Sequence, residues 1–126
     1  MNEEIEHQII PIDDNIMLEN GNKSIFVKLR HIHMITSDSD YIIFHVGSNT
    51  IRVIGSLNNA MKRLDPKQFF RADRQSIINV DFISSLVSGN DTIWIEVTCG
   101  NQVEKITTSR RQGQAFRKQF QIRFYR

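Results

Sequence analysis

Cysteine is nearly absent from this 126-residue chain: Cys99 stands alone, so no intrachain disulfide and no multi-thiolate metal site can form. No hydrophobic run approaches the ~18–20 residues that a membrane-spanning helix needs. The start, Met-Asn-Glu-Glu, is acidic where a secretory signal would be basic, so a cytoplasmic location is expected. Catalytic patterns are missing as well. There is no nucleophile-base-orienter set, no glycine-rich phosphate loop ahead of a helix, and no carboxylate pair in an apolar setting. Asp38 and Asp40 fall in a polar stretch, not an apolar one. The chain is therefore read as a non-enzyme with no cofactor.

Charge is unevenly distributed. Lys and Arg are absent from the first 20 residues, which hold Glu3, Glu4, Glu6, Asp13, Asp14 and Glu19, while the other eight of the 14 acidic residues face all 16 basic ones. From Lys105 onward the sequence has basic residues and no acidic residue. A basic excess confined to one region suits a polyanionic partner, most often nucleic acid. With 40% hydrophobic and 24% charged residues, the composition is that of one globular domain with a real core. Residues 1–15 mix acids with isoleucines without a clear period and read as an acidic tail or linker. Residues 16–126 read as the domain.

Hydrophobic alternation predicts mostly strands. Ile16–Leu18 and Ile25–Leu29 flank Glu19-Asn20-Gly21-Asn22, and Asn-Gly between apolar runs is a strong hairpin signal. Tyr41–Val46 alternates Ile42, Phe44 and Val46 against Tyr41, Ile43 and His45, with Thr50–Ile54 as its partner. A second meander follows Asn79: Ser84–Val87, Thr92–Val97 and Gln102–Thr107, separated by Ser88–Asp91 and Cys99–Asn101. Helical spacing appears twice. Ser56 caps a segment with Leu57, Ala60, Met61 and Leu64 that Asp65-Pro66 ends. Ser109 caps a terminal helix over Arg110–Phe124 with Phe116, Phe120 and Phe124 on one side, whose first turns Gly113 weakens by ~1 kcal/mol relative to Ala. His31 and His33, two apart on an expected strand, would face the same way, but no third ligand sits at zinc spacing. Trp94 reads as packing.

The stretch Phe69–Asn79 is the most informative. Phe69-Phe70 and Ile77-Ile78 are apolar anchors, each side chain worth about 1.5–3 kcal/mol when buried. Between them lie Arg71, Asp73, Arg74, Gln75 and Ser76. A polar run pinned at both ends presents its donors in a fixed direction, as recognition of a fixed ligand requires.

This stretch and two others resemble the LytTR DNA-binding domain found at the end of many bacterial response regulators. The family pattern Phe, Arg, variable, His, Arg, Ser, apolar residues, Asn-hydrophobic falls on Phe70, Arg71, Ala72, Asp73, Arg74, Gln75, Ser76 to Ile78, Asn79 and Val80. Asp73 replaces the usual His and Gln75 the usual Ser. A second likeness is the Ile-rich strand, the polar loop Ser37–Asp40 and Tyr41, with Thr36 where a carboxylate is frequent. The Ser56-Leu57 helix matches in order and spacing. The third is Thr108-Ser109-Arg110-Arg111, where the family has Val-Ser-Arg-Arg.

The resemblance implies a mainly β, many-stranded antiparallel fold with one short internal helix and a C-terminal helix. It implies that loops Ser37–Tyr41, Arg71–Ser76 and Ser109–Arg111 read double-stranded DNA in successive major grooves and bend it. By carry-over, Arg74 and Arg110 read bases, Gln75 contacts an adenine, and Arg71, Arg111 and Lys105 hold phosphates. Asp40, Tyr41, Ser76 and Ser109 complete the expected contact set, while Asn79 satisfies backbone groups. The expected role is that of a bacterial transcriptional regulator or the output domain of one, binding direct repeats, with a homodimer forming on DNA. Two other readings stand beside it: an RNA-binding β domain, which usually needs exposed stacking aromatics, and a protein-interaction module with its basic end on an acidic partner.

Overall fold

A computed structural model describes residues 8–90 and 92–121. The acids Glu3, Glu4 and Glu6, Asp91 of the expected turn and Phe124 of the expected helix lie outside these. The described residues form three antiparallel sheets. β1 (Asn15–Asn20) and β2 (Lys23–Lys28) make a hairpin. β3 (Ile32–Asp38), β4 (Tyr41–Val46), β5 (Asn49–Ile54), β6 (Phe69–Asp73) and β7 (Ser76–Asn79) make a five-stranded sheet in the order β5-β4-β3-β7-β6. β8 (Ile83–Ser88), β9 (Ile93–Cys99) and β10 (Gln102–Thr108) make a meander. α1 (Leu57–Met61) lies between β5 and β6, and α2 (Arg110–Phe120) follows β10. This is the mainly β fold with two helices that the sequence implies.

The hairpins form where expected. Gly21 and Gly47 each take the first place of a two-residue turn at φ 61°, a left-handed conformation that glycine adopts without a Cβ clash. Strand β3 runs further than expected, because Thr36 and Ser37 continue the ladder opposite Ile43 and Ile42. Only Ser39 and Asp40 remain as the β3–β4 turn.

Strands β3, β7 and β6 are buried on both faces, which is why Phe69-Phe70 and Ile77-Ile78 read as apolar runs, whereas β4 and β5 alternate. One core gathers Leu18, Leu29, Ile35, Phe44, Ile51, Leu57, Leu64, Phe69 and Ile77 beneath the β1–β2 hairpin and α1. The other joins Phe70, Ala72 and Ile78 to Ile95 and Val97 of β9 and to Phe116 and Phe120 of α2. Phe116 stands edge-on to Phe70 at 5.2 Å between ring centroids. Consecutive anchors thus serve opposite cores.

Two details depart from expectation. His31 and His33 do not share a strand face: His31 is exposed in a 3-10 turn (Leu29–His31), and a bulge between Ile32 and Met34 takes up His33. The extra residue also returns Ile32 and Ile35, three apart, to the same core. The internal helix is shorter than Ser56–Leu64. Ala60 N–H donates to Ser56 O, but Lys62, Arg63 and Leu64 N–H donate to carbonyls three residues back, so the last turn tightens to 3-10 geometry.

Asn79 has no solvent exposure. Its Nδ2 donates to Ile32 O at 2.8 Å, and its Oδ1 accepts from Gln68 Nε2 at 2.8 Å and from Asp81 N–H at 3.1 Å. Its expected job of satisfying backbone groups is what these bonds do. Asn79→Ala should cost about 1–3 kcal/mol, the penalty for leaving such buried groups unpaired. Urea unfolding measures it, and a loss below about 0.5 kcal/mol would be the signature of a surface site instead.

His33 and His45 sit between the five-stranded sheet and the meander, ring centroids 5.9 Å apart, with Phe82 against His33. His45 Nε2 is 2.8 Å from Thr36 Oγ1. Burial pulls both imidazoles below their ordinary value of 6.5; the proximity of His33 lowers His45 further, and Glu104 opposes the shift at both. The folded state therefore holds these protons less tightly than the unfolded chain. The resulting stability is full above pH 6.5 and is lost as pH falls through 6.5 toward the folded values. The urea midpoint should be lower at about pH 5.5 than at about pH 7.5, with a weaker pH dependence in His45→Gln.

Candidate nucleic-acid interface

The β6–β7 tip is built by its flanks. Phe70 pairs with Ile78, Arg71 with Ile77 and Asp73 with Ser76, leaving Ala72 as a bulge and Arg74-Gln75 as a two-residue turn. Asp73 Oδ1 accepts from Gln75 N–H at 2.8 Å, a local side-chain turn that locks the tip. Ser37 N–H donates to Gln75 O at 3.0 Å, joining the tip to β3. Arg71 spans the same turn from within: Nε donates to Asp73 O at 2.8 Å, Nη2 to Arg74 O at 2.9 Å, and Nη1 to Asn58 Oδ1 of α1 at 2.9 Å.

Beside it lies the β3–β4 turn. Ser39 takes φ 59°, among the described residues the one non-glycine with positive φ. This conformation costs a residue with a Cβ on the order of 1 kcal/mol, a strain that tends to accumulate at working sites. The third element is the start of α2, where Ser109 Oγ accepts from Gln112 N–H at 3.1 Å. Gln112 Nε2 donates to Arg71 O at 2.8 Å, fastening the helix to the tip.

These elements line two adjoining surface depressions. One is bordered by Asn58, Arg71, Asp73, Arg74, Ser109 and Gln112. The other takes in Ser37, Ser39, the Gly55–Asn58 segment and the same Arg71 and Arg74. The three sequence-distant loops thus meet on one surface.

The expected residues are placed unequally on it. Arg74 and Gln75 are exposed at the tip, and Arg110 and Arg111 are exposed on the first turn of α2, with Arg110 Nη2 3.4 Å from Asn90 O. Among the described residues the Arg74 and Arg111 guanidinium groups make no hydrogen bond. Ser109 is spent on the cap. Ser76 is buried between the strands. Asp40 is exposed, and its carbonyl accepts from Gly55 N–H at 3.1 Å. Tyr41 turns to a separate depression with Glu19, Asn20 and Gly21, its ring 4.2 Å beneath the Arg52 guanidinium. Lys105 lies on β10 with Nζ 5.2 Å from the Trp94 ring.

The family model of the LytTr DNA-binding domain matches residues 22–121, a span holding all three loops. The chain belongs to this family. The fold agrees: the LytTr DNA-binding domain of a Bacillus cereus protein described as a methyl-accepting/DNA response regulator superposes with a TM-score of 0.70. It is 19% identical, with 83% of this chain and 94% of that chain covered. No curated protein matches the chain. Within this LytTR domain, Asp73 is one of three residues, with Ser37 and Arg71, that close the tip.

Asn58 and Gln112 were not singled out in the sequence, yet both bind Arg71. Ser109-x-x-Gln112 does have the capping-box spacing, which signals a helix start and a Gln side chain turned back toward Ser109. The structure sends that side chain to β6 instead. Gly113 has a different role from its expected weakening of the helix. It is buried, and a Cβ there would lie 2.8 Å from Ile93 Cγ2 and Cδ1, closer than packed carbon atoms approach. Gly113→Ala should therefore destabilise the domain despite a helix-propensity gain of ~1 kcal/mol. A rise in melting temperature would show that α2 has room to spare on β9.

Proposed function

We propose that this LytTR domain binds double-stranded DNA sequence-specifically, with the β3–β4, β6–β7 and β10–α2 loops entering successive major grooves. The observation that carries this reading is the convergence of three distant polar loops on one surface bordered by Arg74, with Gln75 exposed at the same tip and Arg110 and Arg111 exposed on the adjoining first turn of α2. Neither helix offers an equivalent. α1 has five residues, and the apolar side of α2 is packed on Phe70 and Ile93.

Arg74 at the rigid tip and Arg110 are the base readers, each able to grip a guanine edge with two parallel hydrogen bonds. Gln75 offers the matching pair for adenine. Arg111 stands on the first turn of an 11-residue helix, where free N–H groups and the helix dipole favour a phosphate. Lys105 adds a phosphate contact from β10, and Asp40 borders the β3–β4 contact, while Tyr41, turned toward Glu19 and Arg52, is left outside it. The domain acts as a bacterial transcriptional regulator or as the output domain of one, in the cytoplasm, with two copies on direct repeats.

Reading and holding should fail differently. Arg74→Ala should cost about 1–3 kcal/mol on the preferred duplex and relax preference at one base position, with non-specific binding nearly intact. Arg111→Ala should weaken all duplexes alike and lower the salt slope by about one unit, since one counterion fewer is released. Binding to a selected and a scrambled duplex over a salt series measures both. Equal losses on both duplexes for Arg74→Ala would reassign Arg74 to the phosphates. Stronger competition by single-stranded RNA than by duplex DNA would overturn the function itself.

A further inference from the structure

We propose that Arg71 is a positioning residue: it sets the β6–β7 tip against α1 and α2 so that Arg74 and Gln75 are held in one reading geometry, and it is not a phosphate clamp. This rests on the DNA-binding reading of the same surface.

The guanidinium has five N–H donors in a planar fork. Three of its N–H groups are committed within the protein: to the carbonyls of Asp73 and Arg74 and to the side-chain oxygen of Asn58. The carbonyl of Arg71 accepts from Gln112 on α2. One residue therefore touches both consecutive carbonyls of the tip, the first turn of α1 and the first turn of α2. Bonds from a charged donor are roughly twice as strong as neutral ones. A phosphate that captured this fork would have to release two carbonyl oxygens on the surface facing a polyanion. The side chain is also half-buried, whereas those of Arg74 and Arg111 are exposed.

Geometry and charge make different demands on a replacement. Lysine keeps the charge but cannot bridge two carbonyls one residue apart while reaching a third acceptor. A phosphate clamp tolerates Arg71→Lys; a strut does not.

The test compares Arg71→Lys, Arg71→Ala and Asn58→Ala with the wild-type chain on a selected and a scrambled duplex over a salt series. A DNA-free arm follows amide hydrogen exchange at Gln75 and Ser37, which report the two ends of the tip's lock. Arg71→Lys should lose roughly tenfold or more of the preference for the selected duplex, with the salt slope retained. Asn58→Ala should lose part of the same preference, again without a change in slope. Exchange at both amides should speed up in Arg71→Lys. Arg71→Lys binding like wild type, with Arg71→Ala lowering the slope by about one unit on both duplexes, would make Arg71 a phosphate clamp and overturn the proposal. So would unchanged exchange at both amides. Should Arg71→Ala fail to fold, the Lys and Asn58 variants decide. If the wild-type chain prefers no duplex, the functional reading fails, and the exchange arm still decides whether Arg71 holds the tip.

Discussion

A carboxamide with no solvent exposure, that of Asn79, carries the β3–β7–β6 pairing past the last rungs of its ladders and ties it to the turn that follows. It holds the Ile32 carbonyl at the start of β3, the Gln68 side chain ahead of β6, and the Asp81 N–H in the 3-10 turn leading to β8. An amide in this position cannot trade its partners for water, so each bond must be present whenever the site is closed. The chain leaves the five-stranded sheet and enters the meander at this point. Both cores depend on the angle at which it does so, since Phe69 and Ile77 face one and Phe70 and Ile78 the other.

That two-sided burial links stability to function. A strand pair packed on both faces has no freedom to rock, and β6 and β7 are such a pair. Their shared turn carries little apolar surface and would fray if left to itself. Asp73, Ser37 and Arg71 close it with hydrogen bonds instead. A tip already fixed loses less conformational entropy on meeting a ligand, which favours both affinity and discrimination. Exposed arginines on a mobile loop would bring the charge without the register.

Much of this was readable from the chain. Asn-Gly turns, alternating strands, and the apolar pairs around Arg71–Ser76 identify elements through local chemistry, and local chemistry is what a sequence displays. The misread features arise from contacts across the fold. The bulge at His33 arises where β3 pairs with β4, so spacing alone set His31 and His33 on one face. Gly113 looked like a helix weakness because Ile93, 20 positions earlier in the chain, was not known to touch it. Gln112, which the sequence did not single out, gains its role only because β6 arrives beside α2 and offers the Arg71 carbonyl to its amide. Ser76 shares its motif with Arg74, but strand pairing with Asp73 draws it inward.

The contrast between Arg71 and Arg74 shows why residue type alone does not assign a role on such a surface. Both are arginines of one motif, three positions apart, and both border the same depressions. The bulge at Ala72 and the turn at Arg74-Gln75 separate them. Arg71 still belongs to the ladder and folds its fork back onto the turn carbonyls, while Arg74 has passed the last strand pair and extends from the tip. Fixing the first lowers the number of ways the second can be presented. A surface of this kind needs arginines of both sorts, because a charged side chain selects a base only as well as its backbone is held.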